Sequence, residues 1–148
     1  MNPSLLTMIA VALAGGATAL QAPINARLAQ AVASPVNAAL VSFAVGTAAL
    51  AVLAMALQQR PDLTAARGMP WYVWTGGLYG AVFVVAAAWG VPRLGVATTI
   101  TLMVAGQLLV SLALDHFGAF GAPTQPINLG RLAGVGLVIA GVVLVRRS

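Results

Sequence analysis

The sequence contains no cysteine, lysine or glutamate, and Asp62 and Asp115 are its acidic residues. Without cysteine there is no disulfide framework or thiolate metal site, and the redox compartment leaves no mark. His116 and the two aspartates provide neither a metal-binding cluster nor a nucleophile with its base, and no glycine-rich phosphate loop is present. An enzyme is therefore not expected, and neither is a cofactor. The basic residues are seven arginines, and the formal charge is +5. They stand singly, or as the pair Arg146 and Arg147, beside apolar runs. Membrane anchors are placed in that way, whereas nucleic-acid binding calls for clustered charge. No nucleic-acid partner is expected.

What the chain does contain is apolar length. Of its 148 residues 61% are hydrophobic and 6% charged, and the mean hydropathy is +0.99. The segments are apolar on every face, the pattern of helices whose solvent is lipid. About 20 apolar residues cross about 30 Å of hydrocarbon, and five segments qualify, at roughly 3–21, 35–57, 71–91, 94–114 and 129–145. The expectation is an all-α integral membrane protein with a single five-helix domain over 1–148. The first segment ends in small residues, as a signal peptide does, but it has no basic leader and its run is too long. It reads as a transmembrane helix.

The chain is organised around residues 14–46. Gly15 and Gly16 remove side chains from the first helix, which turns polar at Thr18 and Gln21 and is expected to break at Pro23, because proline lacks the N–H and crowds the preceding turn. Residues 25–34, with Asn25 and Arg27, then read as a short interfacial helix. Thr18, Gln21 and Asn25 would lie within about 60° of one another if the first helix persisted. Ser34 and Pro35 read as the N-cap and first residue of the second helix, which carries Asn37, Ser42 and Gly46.

Residues 58–70 form a polar connection, after which Trp71, Tyr72 and Trp74 mark an aromatic belt. Trp74 and Tyr79 are also candidates for an aromatic box around a cation. Gly76, Gly77 and Gly80 suit a close helix crossing. A tight turn is expected at Pro92 and Arg93, followed by a helix whose Gln107, Ser111 and Asp115 recur every four residues in one stripe. Asp115 is the one carboxylate associated with a span. With His116 it is the candidate for coupling to a proton or cation, although a position at the helix end could leave it simply solvated. The loop 118–128 is rich in glycine and proline. The last segment carries Gly130, Gly134, Gly136 and Gly141, candidates for helix packing or dimerisation.

Five spans put the termini on opposite sides. Arg60, Arg67 and Arg131 then share one side, and Arg27, Arg93, Arg146 and Arg147 the other. Orientation follows an excess of Lys and Arg on the cytoplasmic side, so this near balance predicts dual topology. An antiparallel pair would form a ten-helix inverted repeat, the architecture of alternating access.

The runs GGATALQAPINARL, SPVNAALVSFAVG, GQLLVSLALDHFG and RLAGVGLVIAGVVL together resemble the five-helix YdcZ-type family of the drug/metabolite transporter superfamily. That family is related to EamA-type and small multidrug resistance transporters. By motif, Gln21, Pro23 and Asn25 match the family's first helix, Ser34, Pro35, Ser42 and Phe43 its second, and Gln107, Asp115 and His116 its fourth. The resemblance implies a bacterial inner-membrane transporter, working as an antiparallel homodimer or as a heterodimer with a paralogue. Small multidrug resistance transporters carry a glutamate within the first helix; here neither the first nor the second helix has a carboxylate, so that exchange chemistry does not carry over. The leading expectation is a transporter of small metabolites or drug-like molecules whose site uses Thr18, Gln21, Asn25, Ser42, Gln107 and Ser111. The alternatives are a non-transporting assembly subunit or chaperone, and a channel, for which no charged ring or filter is present.

Overall fold

The computed structural model describes residues 2–147. Its long helices are α1 (Pro3–Ala31), α2 (Pro35–Ala56), α4 (Gly76–Leu94), α5 (Val96–Phe117) and α6 (Leu129–Arg147). The short α3 (Leu63–Arg67) and a 3-10 turn (Trp71–Thr75) lie between α2 and α4, and a second 3-10 turn (Ala119–Gly121) follows α5. Among the described residues, five helices are long and apolar enough to cross a membrane. The protein is an all-α membrane protein of five spans. Its internal contacts divide it into two compact units, residues 1–92 and 93–148.

In the first unit, α1 does not stop at Pro23. It continues to Ala31 with the proline inside it, so the expected break and the separate interfacial helix are replaced by one helix. Pro23 forfeits one bond, to the Ala19 carbonyl, whereas ending the helix there would expose several unpaired backbone groups to lipid, each costing several kcal/mol on the order of magnitude scale. The persisting turns also pack. Ala22, Asn25, Ala26 and Ala29 are all buried along this face. Asn2 caps the start of α1, its side chain accepting from the Ser4 N–H at 3.2 Å.

The end of α1 lies where Ala33 takes a left-handed φ of 55°, and the Ser34 N–H returns to the Ala29 carbonyl at 3.0 Å. The Ser34 hydroxyl then accepts from the Asn37 N–H at 3.3 Å, and Pro35 begins α2. One short connection thus satisfies donors and acceptors of both helices. Ala29, Ala38 and Ala88, from α1, α2 and α4, form the core of the unit. Methyl side chains let the backbones approach, which is where packing energy comes from when lipid is the competing solvent. Farther along, the Phe43 ring lies over Gly80, where an added Cβ would be 3.2 Å from the ring.

The boundary between α4 and α5 also differs from expectation. Pro92 and Arg93 remain in α4, and the chain turns instead at Gly95, with φ +81°. That backbone region is open to glycine and strained for arginine. In the second unit α5 packs on α6. Gly118 ends α5 with φ +59°, and a Cβ there would lie 2.6 Å from the Thr124 hydroxyl oxygen. Gly118→Ala should therefore lower stability by at least about 1–2 kcal/mol, the cost of a left-handed non-glycine residue. Gly46→Ala, with open space at its Cβ, should leave stability unchanged or slightly raised. Thermal unfolding in detergent checks the pair, and equal melting temperatures for the two variants would refute the tight cap at Gly118.

Candidate functional site

Polar side chains are buried or clasped in both units: Thr98 and Thr99 are buried on α5 in the second, where the Thr99 hydroxyl donates to the Gly95 carbonyl at 2.7 Å. In the first unit Asn25, two residues after Pro23, is 2% exposed. Its neighbours along the α1 face, Ala22, Ala26 and Ala29, are buried alanines, and its side-chain nitrogen has no hydrogen-bond partner. An unpaired buried amide donor costs about 1–3 kcal/mol. Thr18 and Gln21 precede it on the same side of the now continuous helix, exposed and half-buried respectively. The Thr18 hydroxyl donates to the Ala14 carbonyl at 3.0 Å, so its polarity is satisfied within the helix.

The second unit also has a clasp across the loop between α5 and α6. Arg131 donates from Nη1 to Asp115 Oδ2 at 3.1 Å and to the Gln125 carbonyl at 3.3 Å, and from Nη2 to Gln125 Oε1. The Gln125 N–H in turn donates to the Asp115 carbonyl at 2.8 Å. His116 Nδ1 accepts from the Ile127 N–H at 3.3 Å, and Asn128 Oδ1 accepts from the Arg131 N–H at 2.9 Å. The helix end, the loop and the start of α6 are thereby joined through side chains that sequence spacing kept apart.

Below the clasp runs a groove of about 430 Å³ between α5 and α6, lined by Leu108, Ser111, Leu112, Asp115, Arg131, Gly134, Val135 and Val138. The Ser111 hydroxyl donates to the Leu108 carbonyl at 2.9 Å. Of the polar stripe on α5, Ser111 and Asp115 border this groove, while Gln107 is exposed and is not part of its lining.

The other candidate residues are placed separately. Ser42 is half-buried on α2. Trp74 and Tyr79 are 65% and 73% exposed, and it is Trp71 and Tyr72 that pair edge-on, 6.3 Å between centroids. Gly134, Gly136 and Gly141 have nothing within 4 Å of an added Cβ, whereas Gly130 has Asn128 Oδ1 at 3.3 Å. Sequence reading missed Arg131 and Gln125 as partners of Asp115. By its place beside an apolar run Arg131 reads as a headgroup anchor, and the signal for its pairing is that a lone span-end carboxylate needs a cation within one loop's reach.

Among the described residues, five helices of membrane length define a polytopic helical membrane protein. The family described as "Putative inner membrane exporter, YdcZ" matches residues 6–144, and the chain belongs to it. It is similar to inner membrane protein YdcZ of Escherichia coli (strain K12), with 39% identity over 77 residues, covering 52% of this chain and 51% of that protein. The chain thus matches about half the length of that curated relative. No solved structure matches. The protein is a multi-pass protein of the bacterial inner membrane.

The Asp115–Arg131 pair is partly exposed, with side-chain exposures of 38% and 27%, so its direct contribution is about 0.2–1 kcal/mol. Its larger effect should be local. Arg131→Gln is expected to raise amide hydrogen exchange several-fold at Gln125 and Ile127 with little change in global melting. Exchange at wild-type rates would show that the clasp does not hold the loop.

Proposed function

We propose that the chain is a transporter of small metabolites or drug-like molecules, working by alternating access as an antiparallel dimer, with Asn25 as a substrate contact on α1. The observation that carries this reading is the Asn25 side-chain nitrogen, buried and without a partner on the α1 face that also buries Ala22, Ala26 and Ala29. A polar group kept at that cost inside a membrane helix is retained for what it binds. Membership of an exporter family supports transport.

Asn25 and Gln21 donate and accept without carrying charge. A substrate with neutral polar groups or weak charge therefore fits better than a strongly charged ion. In this reading Ser42 is a further polar group of the first unit, and Gln107 and Ser111 are candidate polar groups of the second. Asp115 and His116 are the groups through which a proton or cation would couple. Gly136 and Gly141 on α6, each with open space at an added Cβ, suit contact with a second copy or with a paralogue.

Asn25→Leu tests the contact because the two roles of the residue predict opposite signs. Removing an unsatisfied donor should leave thermal stability unchanged or raised by about 1 kcal/mol, while flux in proteoliposomes should fall to background. Full flux would remove Asn25 from the site, and lost stability would mean that the amide is structural. Wild-type protein that gives no flux of any metabolite or drug tested would favour the assembly-subunit reading.

The dimer has its own test. Reporters at the C-terminus that are active only in the cytoplasm or only outside it should both give signal, as the three-against-four division of arginines requires. Signal from one alone would exclude the antiparallel homodimer and leave the heterodimer with an oppositely oriented paralogue.

A further inference from the structure

The groove between α5 and α6 has a polar mouth and an apolar body, and the transport reading uses Asp115 and Ser111 on its lining without giving Arg131 or the apolar wall a part. Asp115 and Arg131 stand at its mouth, near the end of α5 and the start of α6. From there it descends beside Leu112 and Leu108 on one wall and Gly134, Val135 and Val138 on the other. Asp115 and Leu108 are seven residues apart, about 10 Å at 1.5 Å per residue. The mouth lies at the ends of two membrane-length helices, where headgroups are reached, and the body runs back along their apolar length.

The mouth pairs one negative and one positive charge, and each has a polar atom that the clasp does not use. Arg131 spends Nη1 and Nη2 on Asp115 and Gln125, and none of these bonds uses Nε. The ion pair uses Oδ2 of Asp115, which leaves Oδ1 as an acceptor. Gln125 also holds the guanidinium independently of Asp115, so the pair can loosen without stranding Arg131. A singly charged head would leave one charge uncompensated at the edge of a low-dielectric region. A dipolar head compensates both.

We propose that this groove is a binding site for a zwitterionic phospholipid with a primary ammonium, of the phosphatidylethanolamine type. Its ammonium donates to Asp115, its phosphate accepts from Arg131, and one acyl chain lies along Leu108, Leu112, Val135 and Val138 over Gly134. The volume, about 430 Å³, is within the range of small-molecule sites, about 300–1,000 Å³. The bilayer itself supplies the occupant, and the proposal does not depend on any transported substrate.

The test uses the full chain, purified in a non-ionic detergent, and three amphiphiles that share one acyl or alkyl chain length: lysophosphatidylethanolamine, lysophosphatidylglycerol and an alkylammonium. Melting temperature is followed against amphiphile concentration, since a ligand that binds the folded state raises it. Lysophosphatidylethanolamine should bind at least about tenfold more tightly than the singly charged amphiphiles, about 1.4 kcal/mol. Asp115→Asn and Arg131→Gln should each remove that preference. Gly134→Leu, which fills open space at the groove wall, should abolish the shift while the probe-free melting temperature stays near wild type. Equal affinity for the three amphiphiles, or undiminished binding to the Gly134→Leu protein, would overturn the proposal. So would equal binding of phosphoethanolamine without a chain, which would mark a site for a soluble solute and not for a lipid.

Discussion

Lipid offers no hydrogen bonds, and most of the structure follows from that. Every backbone N–H and C=O in a span must find its partner within the segment or in protein nearby. Helix ends are then the expensive places, and the chain treats them individually. Ser34 and the return bond to Ala29 close the connection between α1 and α2. Asp62 accepts from the Thr64 and Ala65 N–H groups, each at 3.0 Å, at the start of α3. Gly118 takes a left-handed turn so that its own N–H can return to the end of α5. The same rule carries α1 through Pro23, because one missing bond costs less than a terminated helix.

Packing in such a medium cannot rely on the exclusion of water, and the core of the first unit shows what takes its place. Its centre consists of alanines from three helices, with the Phe43 ring seated on Gly80 beside a groove of about 230 Å³. Close backbone approach provides many weak contacts without requiring large side chains. Leu, Val and aromatic residues remain largely outside, which would be an aggregation hazard in water and is the normal condition of a lipid-facing wall. Against that background a buried asparagine or a clasped arginine is an exception that calls for a reason.

The two polar features differ in kind. Asn25 leaves a buried donor unpaired on α1, and in the proposed function that donor is a substrate contact. The clasp of Asp115, Arg131 and Gln125 is mutually satisfied and holds a glycine- and proline-rich loop against the helix ends. This contrast is why the substrate reading rests on α1 and the lipid reading on the groove between α5 and α6.

The sequence by itself determined the class of the protein. Apolar runs of span length and arginines at their edges are legible because lipid constrains every residue of a span alike. It also placed the Ser34 and Pro35 start of α2, since cap chemistry is local. What only the tertiary structure decided were matters of competition between distant parts. The local chemistry of Pro23 predicts a break, and the helix continues through it with Ala22, Ala26 and Ala29 packed along its face. The turn moved from Pro92 to Gly95 because left-handed backbone is cheap only at glycine. Asp115 found Arg131 across a loop whose path no periodicity encodes. The burial of Asn25, and the want of a partner for its nitrogen, depended on which neighbours α1 met, and that is a property of the packed helices and not of any stretch of sequence.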